Sequence, residues 1–182
     1  MYCTRNSQIM IMAIGLMLIV GAFHTSRAAT LGEMESLRGL PGIVLKPLTF
    51  IATPAKVKHE LPLLELTTEI ESTLRQSGIL LDNHVTERGN EQPFLEIQGA
   101  VTQIAANYYA YTILVELHQT ATLLSNSSRP LVVTWSEGSL STGDIRNFQE
   151  RIQLLVRMFI QDFQKMNASR SPAWSLSWTP SS

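Results

Sequence analysis

The sequence is poor in cysteine, histidine and net charge, and each shortage excludes a class of protein. The single cysteine, Cys3, lies at the start of the chain, so the remainder cannot be held together by disulfide bonds. The four histidines, His24, His59, His84 and His118, are too far apart in sequence to form the closely spaced pair of a common metal site. No phosphate-binding loop, dinucleotide fingerprint or serine nucleophile elbow is present. We therefore expect no cofactor, no bound metal and no enzymatic activity.

The N-terminus has the layout of a secretory signal peptide. Met1–Gln8 carries one positive charge at Arg5 and no acid, and Ile9–Phe23 is an unbroken run of apolar residues and glycine. This run has 15 residues, whereas a membrane-spanning helix needs about 20, so a cleaved signal is favoured over an anchor. Ser26 and Ala28 are small residues at the minus-three and minus-one positions, which predicts cleavage after Ala28. The alternative is an uncleaved N-terminal membrane anchor.

After cleavage, the chain is expected to be a small, weakly acidic exported domain. Cleavage removes Arg5 and Arg27 from the 14 Lys and Arg residues and none of the 15 acidic residues, which leaves a net charge of about −3. This balance argues against nucleic acid as a partner. No later segment is long and apolar enough to span a membrane. We therefore expect a periplasmic or secreted protein that contacts a membrane only through its signal segment.

Apolar periodicity and turn residues predict the first half of the domain. Ile43–Ile51 is rich in β-formers, and Pro47 places it at a sheet edge or a bulge. A helix with one apolar stripe begins at Pro62 and is closed by Gly78, which can adopt the left-handed conformation of a helix end. Ile79–Leu81 is predicted to start a short second strand.

The second half predicts successive hairpins and a long helix. Alternation of apolar and polar residues indicates strands at about 93–102, 108–124 and 131–137, and Gly138–Gly143 is expected to connect the last strand to the helix. Asp144 is a good N-cap for an amphipathic helix whose apolar face includes Phe159. The predicted fold is α+β, with a single mixed or antiparallel sheet of four to five strands and two helices packed on one face (β-α-β-β-β-β-α).

These patterns divide the chain into three parts. Residues 1–28 are the predicted signal peptide, 29–167 the α+β domain, and 168–182 a flexible tail rich in Ser, Pro and Trp. Within the domain, Glu116, His118 and Thr120 share one face of a strand, where they offer an acid, a base and a hydroxyl. Exposed strand faces routinely carry such solvated residues, so an enzyme built on these three is the least favoured hypothesis.

Two aromatic groups are candidate partner-binding residues. In the tail, Trp174, Leu176 and Trp178 alternate with serines, so an extended tail presents all three on one side and resembles a strand that adds to a sheet edge. The alternative is that the tail folds back over its own domain, because exposed tryptophans are costly in a monomer. Tyr109 and Tyr111 lie beside a turn, where aromatic residues more often pack in the core than form a binding platform.

The predicted order of elements resembles small bacterial envelope domains, such as the N-terminal domain of the Tol-Pal translocation protein and the periplasmic part of the curli secretion channel. Four short segments also resemble a pattern in uncharacterised exported bacterial proteins: Leu37–Ile43, Leu74–Ile79, Leu117–Gln119 and Thr134–Trp135. This resemblance covers about residues 37–167 and implies an exported α+β domain. It assigns no activity to any residue.

The favoured hypothesis is a non-enzymatic envelope module that binds another, unidentified envelope protein through a strand edge or through the aromatic tail. The alternative is a carrier of a small apolar ligand or lipid. It requires a cleft between the sheet and the first helix, lined by residues such as Leu66 and Ile70.

Overall fold

Five strands and three α-helices make up the fold, as seen in a computed structural model that describes residues 29–82 and 92–168. The predicted signal peptide, most of the loop before the central hairpins and nearly all of the predicted tail lie outside the described residues. Within the described part, no helix is long and apolar enough to cross a membrane. In chain order, the elements are α1 (Leu31–Glu35), β1 (Val44–Leu45), β2 (Thr49–Thr53), a 3₁₀ turn (Ala55–His59), α2 (Leu63–Gln76), β3 (Phe94–Ala105), β4 (Tyr108–Thr120), β5 (Leu131–Gly143) and α3 (Ile145–Asn167).

The strands form one open mixed sheet. β3, β4 and β5 are an antiparallel meander, and the short strands β1 and β2 both pair in parallel with the free side of β3. Asn107, with a φ of 55°, makes the tight turn between β3 and β4, and such a φ is tolerated by asparagine. The predicted α+β fold is therefore confirmed, with five strands in the sheet.

The core lies on one face of this sheet. Alternate residues of β3 and β4, such as Leu95, Ile97 and Val115, are fully buried and belong to the same apolar cluster as the buried faces of α2 and α3. Their neighbours along the strands point the other way, and Thr112 and Leu140 on that outer face are exposed. This alternation is the period of two expected for a sheet with one covered face.

Both predicted helices are present, and α2 begins one residue later than predicted. The stripe of α2 is buried, and Gly78 follows its end with a φ of 81°, the left-handed conformation that glycine adopts without strain. Pro62 occupies the N-cap position, one residue before the helix. Asp144 caps α3: its carboxylate accepts from the backbone N–H of Asn147, and the Asn147 side chain accepts from the N–H of Asp144.

Several strand bounds differ from the sequence-based prediction, and β3 runs to Ala105, three residues past its predicted end. The first predicted strand is split around Pro47 into β1 and β2, because proline lacks an N–H for the ladder. Ile79–Leu81 is not a strand: Leu81 forms a single bridge with Ile43. The strand predicted to run to residue 124 ends at Thr120, where a turn toward β5 begins.

Two features of the fold were not predicted from the apolar periodicity of the sequence. Gly138–Gly143, expected to be a connection, is the second half of β5, because it pairs along its length with Tyr109–Leu114 of β4. The five-residue helix α1 lies before Ile43, where no element was predicted. Thr30 and Glu33 start it with reciprocal side-chain to backbone hydrogen bonds, a capping box that the sequence does contain.

Candidate functional site

One side of β5 is unpaired and forms the first candidate site. Among the described residues, β5 pairs only with β4 and is the last strand of the sheet. Its first half is partly covered by α1, since the hydroxyl of Ser36 donates to the carbonyl oxygen of Thr134 at 3.1 Å. We call its second half, Ser136–Gly143, the β5 edge. A strand edge of this kind presents main-chain donors and acceptors to a partner strand.

A cleft of about 400 Å³ lies between the β5 edge and the first half of α3. Arg151 and Arg157 project from α3 into its wall, together with Leu154, and we call it the arginine cleft. Neither arginine forms a salt bridge within the described part of the chain. The cleft therefore offers two guanidinium groups and an apolar side chain next to an unpaired strand. Its other lining residues are Tyr111, Ser141, Thr142, Asn147 and Glu150.

Tyr109 and Tyr111, two of the predicted partner-binding residues, are buried in the core. Their exposed fractions are 3% and 2%, and the ring of Tyr111 packs edge-on against Phe148 with centroids 5.4 Å apart. The hydroxyl of Tyr109 donates a 2.7 Å hydrogen bond to Glu60. Their rings therefore give no exposed platform to a partner. At the surface, Tyr111 contributes to the wall of the arginine cleft.

The predicted partner-binding residues of the tail, Trp174, Leu176 and Trp178, lie outside the described residues, and their role stays a prediction. The structure does place the point at which the tail begins. The side chain of Asn167, at the end of α3, accepts from the N–H of Gly39 and donates to the carbonyl of Leu37. The end of α3 therefore lies beside the turn that follows α1.

A second candidate site lies on the outer face of the sheet, where Glu96, Glu116 and His118 meet; we call it the Glu–His cluster. Nε2 of His118 is 3.3 Å from a carboxylate oxygen of Glu96 and 3.4 Å from one of Glu116. One ligand atom from each residue lies within 4.8 Å of the others. Side-chain exposure is 15% for His118, 16% for Glu116 and 31% for Glu96. The cluster is half-buried: Nε2 of His118 is itself buried, and Glu96 is the most exposed of the three side chains.

Neighbouring side chains hold the cluster in place. The ring of Phe94 stacks on the imidazole of His118, with centroids 4.6 Å apart and planes 9° from parallel. Lys46 covers the same phenylalanine, with its Nζ 4.8 Å from the ring centroid. The side-chain amide of Gln98 donates to Glu116 at 3.3 Å. His118 is therefore packed against an aromatic ring, which corrects the expectation of a solvated residue on an exposed strand face.

Glu96 was missed by the sequence analysis, which looked for histidines close together in the chain. It reaches His118 only through the pairing of β3 with β4, in which Glu96 lies opposite Glu116 and Phe94 opposite His118. Thr120 follows on the same strand. The hairpin turn at Asn107 indicates that β3 pairs with β4, but counting from the turn does not align Glu96 with Glu116, because the register shifts between Gln103 and Ala105.

The packing gives no support to the hypothesis of an apolar-ligand carrier. Leu66 and Ile70, which were expected to line a cleft, are each only 1% exposed and are part of the core. A cleft that includes Ile70, between α2 and α3, measures about 140 Å³, well below the roughly 300 Å³ at which ligand pockets begin.

Comparison with known proteins yields similarities of structure only. No protein-family model matches the chain, and no significant sequence match was found among curated proteins. Similar solved structures include the PelC dodecamer from Paraburkholderia phytofirmans (17% identity, TM-score 0.37, covering 74% of this chain and 96% of that one). A hypothetical protein from Chlamydia trachomatis has 12% identity and a TM-score of 0.34, and the match covers 70% of this chain and 94% of that one. A minor lipoprotein from Acinetobacter baumannii has 14% identity and a TM-score of 0.25, and the match covers 70% of this chain and 95% of that one. These similarities assign no function, and the resemblance to Tol-Pal and curli domains stays a prediction.

Proposed function

We propose that the chain is a non-enzymatic accessory protein of the bacterial envelope that binds an extended segment of another envelope protein along the β5 edge. The observation that carries this proposal is a long strand that is unpaired on one side and has a basic cleft beside it. Extended segments add to such edges through main-chain hydrogen bonds, and pockets next to the edge select among their side chains.

The side chains along the edge support a docking strand. Leu140 is 44% exposed and lies on the outer face, where it can contact the apolar side chains of an added strand. Ser139 and Ser141 alternate with it on the inner face and are half-buried. No lysine or proline, the residues that commonly protect an edge from pairing, occurs between Ser136 and Gly143.

The arginine cleft determines the chemistry expected of the partner. Arg151 and Arg157 face only one acid in the cleft, Glu150, so the cleft carries an excess of positive charge. An Asp or Glu of a segment bound at the β5 edge would receive charge-assisted hydrogen bonds from these guanidinium groups. The partner segment is therefore extended and carries an acidic residue. The envelope location rests on the signal pattern of the N-terminus.

The proposal can be tested by site-specific photocrosslinking in intact cells. A photoreactive amino acid at Leu140 reports on the β5 edge, and one at Leu64, which is 82% exposed on α2, is the matched control. We expect an adduct at residue 140 that residue 64 does not form, with the crosslinked peptide containing Asp or Glu. Charge reversal by Arg151→Glu with Arg157→Glu should abolish that adduct and leave the melting temperature unchanged.

Proline substitutions test the main-chain part of the contact. Successive N–H groups of a strand point alternately toward its partner and away, so one of Ser139→Pro and Leu140→Pro removes only an outward donor. The informative variant is the one that keeps the wild-type melting temperature. Because residue 140 is itself substituted in one variant, the photoreactive group is placed at Thr142, and the proline variant should lose the adduct formed there. Leu140→Ala controls for loss of the leucine side chain. Persistence of the adduct in this variant would contradict the proposal. Loss of the adduct only on deletion of residues 168–182 would instead assign binding to the tail.

A further inference from the structure

We propose that Glu96, Glu116 and His118 form a binding site for a divalent transition-metal ion of the zinc type. The three residues supply two carboxylate oxygens and one imidazole nitrogen, which are ordinary zinc ligands. Three protein ligands leave a fourth position of a tetrahedral ion open to water or to a partner's side chain. This site lies on the outer face of the sheet and does not depend on the function proposed for the β5 edge.

The distances within the cluster fit a shared ion. In a tetrahedral zinc site with bonds of about 2.0 to 2.2 Å, neighbouring ligand atoms are about 3.3 to 3.6 Å apart. Nε2 of His118 lies 3.3 Å from Oε2 of Glu96 and 3.4 Å from Oε2 of Glu116. Of the three distances between ligand atoms, the two that involve Nε2 therefore already have the length that coordination requires.

The hydrogen bonding of His118 does not explain these short distances. Nε2 is buried and forms no hydrogen bond with any described residue, although both carboxylate oxygens are close. The nitrogen therefore lies close to both acids without a hydrogen bond to either. An ion held by both acids would give this buried nitrogen the partner that it lacks.

The electrostatics of the pairing also favour a cation. Glu96 and Glu116 are direct cross-strand partners, and like charges in that position destabilise a sheet. The basic side chain of Lys46 covers the ring of Phe94 rather than pairing with either acid. A divalent ion between the carboxylates would neutralise both charges.

The surrounding residues position the ligands, as outer-shell residues of metal sites do. The stacked ring of Phe94 fixes the plane of the imidazole, and Gln98 donates to the same oxygen of Glu116 that faces Nε2. Both neighbours come from β3, the strand that also supplies Glu96. The site is therefore built on two paired strands rather than on a mobile loop.

The test is calorimetric titration of the chain, purified after export without a polyhistidine tag and stripped with chelator, with zinc chloride alone. We expect one ion per chain, and at least a tenfold weaker affinity after His118→Gln or Glu116→Gln. His59→Gln, at an exposed histidine of the 3₁₀ turn, is the matched control and should bind as the wild type does. Cobalt chloride should give the intense visible bands of a four-coordinate ion in the wild type and not in His118→Gln.

A further variant distinguishes loss of the site from misfolding. Glu96 is the most exposed ligand, so Glu96→Gln should keep the fold while lowering zinc affinity at least tenfold. Zinc should raise the melting temperature of the wild type and not that of Glu96→Gln. If the wild type takes up no zinc beyond what folded His118→Gln or Glu96→Gln takes up, the proposal is overturned, and the cluster is an internal ion pair.

Discussion

Trp135 of β5 and Phe159 of α3 pack edge-on, with ring centroids 5.1 Å apart and planes 70° from parallel. Both side chains are fully buried, and the indole N–H of Trp135 also donates a 3.0 Å hydrogen bond to Asp162 of the same helix. This contact joins the last strand of the sheet to the long helix. The β5 edge can therefore present its backbone to a partner while its inner face remains held by α3.

Removal of the Phe159 ring should strongly destabilise the domain. Phe159→Ala deletes a fully buried ring and leaves a cavity, so we expect the free energy of unfolding to fall by about 3 to 5 kcal/mol. Glu150→Ala, on the exposed face of the same helix, should change it by less than about 0.5 kcal/mol. Urea unfolding followed by circular dichroism measures both. Equal unfolding midpoints for the two variants would show that the assigned helix face is wrong.

Loss of the cap of α3 should have a smaller effect. Asp144 satisfies an otherwise unpaired backbone N–H at the start of the helix, at 2.9 Å from Asn147. Asp144→Ala should therefore lower the free energy of unfolding by about 1 kcal/mol, whereas Asp144→Ser should retain most of the stabilisation that the cap provides. The same urea measurement applies. An alanine variant as stable as the serine variant would mean that the cap contributes nothing.

Gly99 of β3 should not tolerate a side chain. A Cβ at this position would collide with the carbonyl oxygen of Thr112 on β4 and would come within 3.0 Å of the ring of Phe50. Gly99→Ala should therefore cost about 2 to 3 kcal/mol or prevent folding. Gly138→Ala is the control, because its nearest neighbour is a terminal methyl of Leu114 at 3.3 Å, which can move. Similar melting temperatures for the two variants would contradict this close approach of β3 and β4.

The sequence predicts most of the fold, because the elements that form the core carry periodic apolar residues. Leu66, Ile70 and Leu74 lie on one helical stripe, and Leu95 and Ile97 alternate along a strand. Their burial is a local consequence of the helix and strand periods. The helix and strand types could therefore be predicted without knowledge of their partners.

The remaining features depend on partners distant in the chain. Gly138–Gly143 has small and polar residues without apolar alternation, and it is a strand because β4 is long enough to pair with it. Glu96 and His118 are 22 positions apart in sequence and become neighbours only through the register of β3 and β4. The exposure of the β5 edge likewise follows from the order of strands in the sheet. A single sequence contains no periodicity that reports these relationships.

Stability at high pH should depend on the bond between Tyr109 and Glu60. The pKa of Tyr109 is raised above its ordinary value of 10.0, first by its hydrogen bond to Glu60, then by burial and by the negative charge of that residue. The folded state therefore holds the phenolic proton more tightly than the unfolded state does. This contribution to stability is fully present below about pH 10 and is lost as the pH rises through the folded-state pKa.

Glu60→Gln removes the charged acceptor and should lower the pKa of Tyr109, so the variant should lose less stability than the wild type between about pH 9 and pH 11. Urea midpoints measured across this range test the difference, and the ultraviolet absorbance of ionising tyrosines measures the pKa directly. Tyr111 is an internal control, because its pKa is raised chiefly by burial and not by Glu60. In a Tyr109→Phe background, Glu60→Gln should no longer change the pH profile, since no proton is then linked to the bond. Parallel pH profiles for wild type and Glu60→Gln would show that the hydrogen bond does not couple tyrosine ionisation to folding.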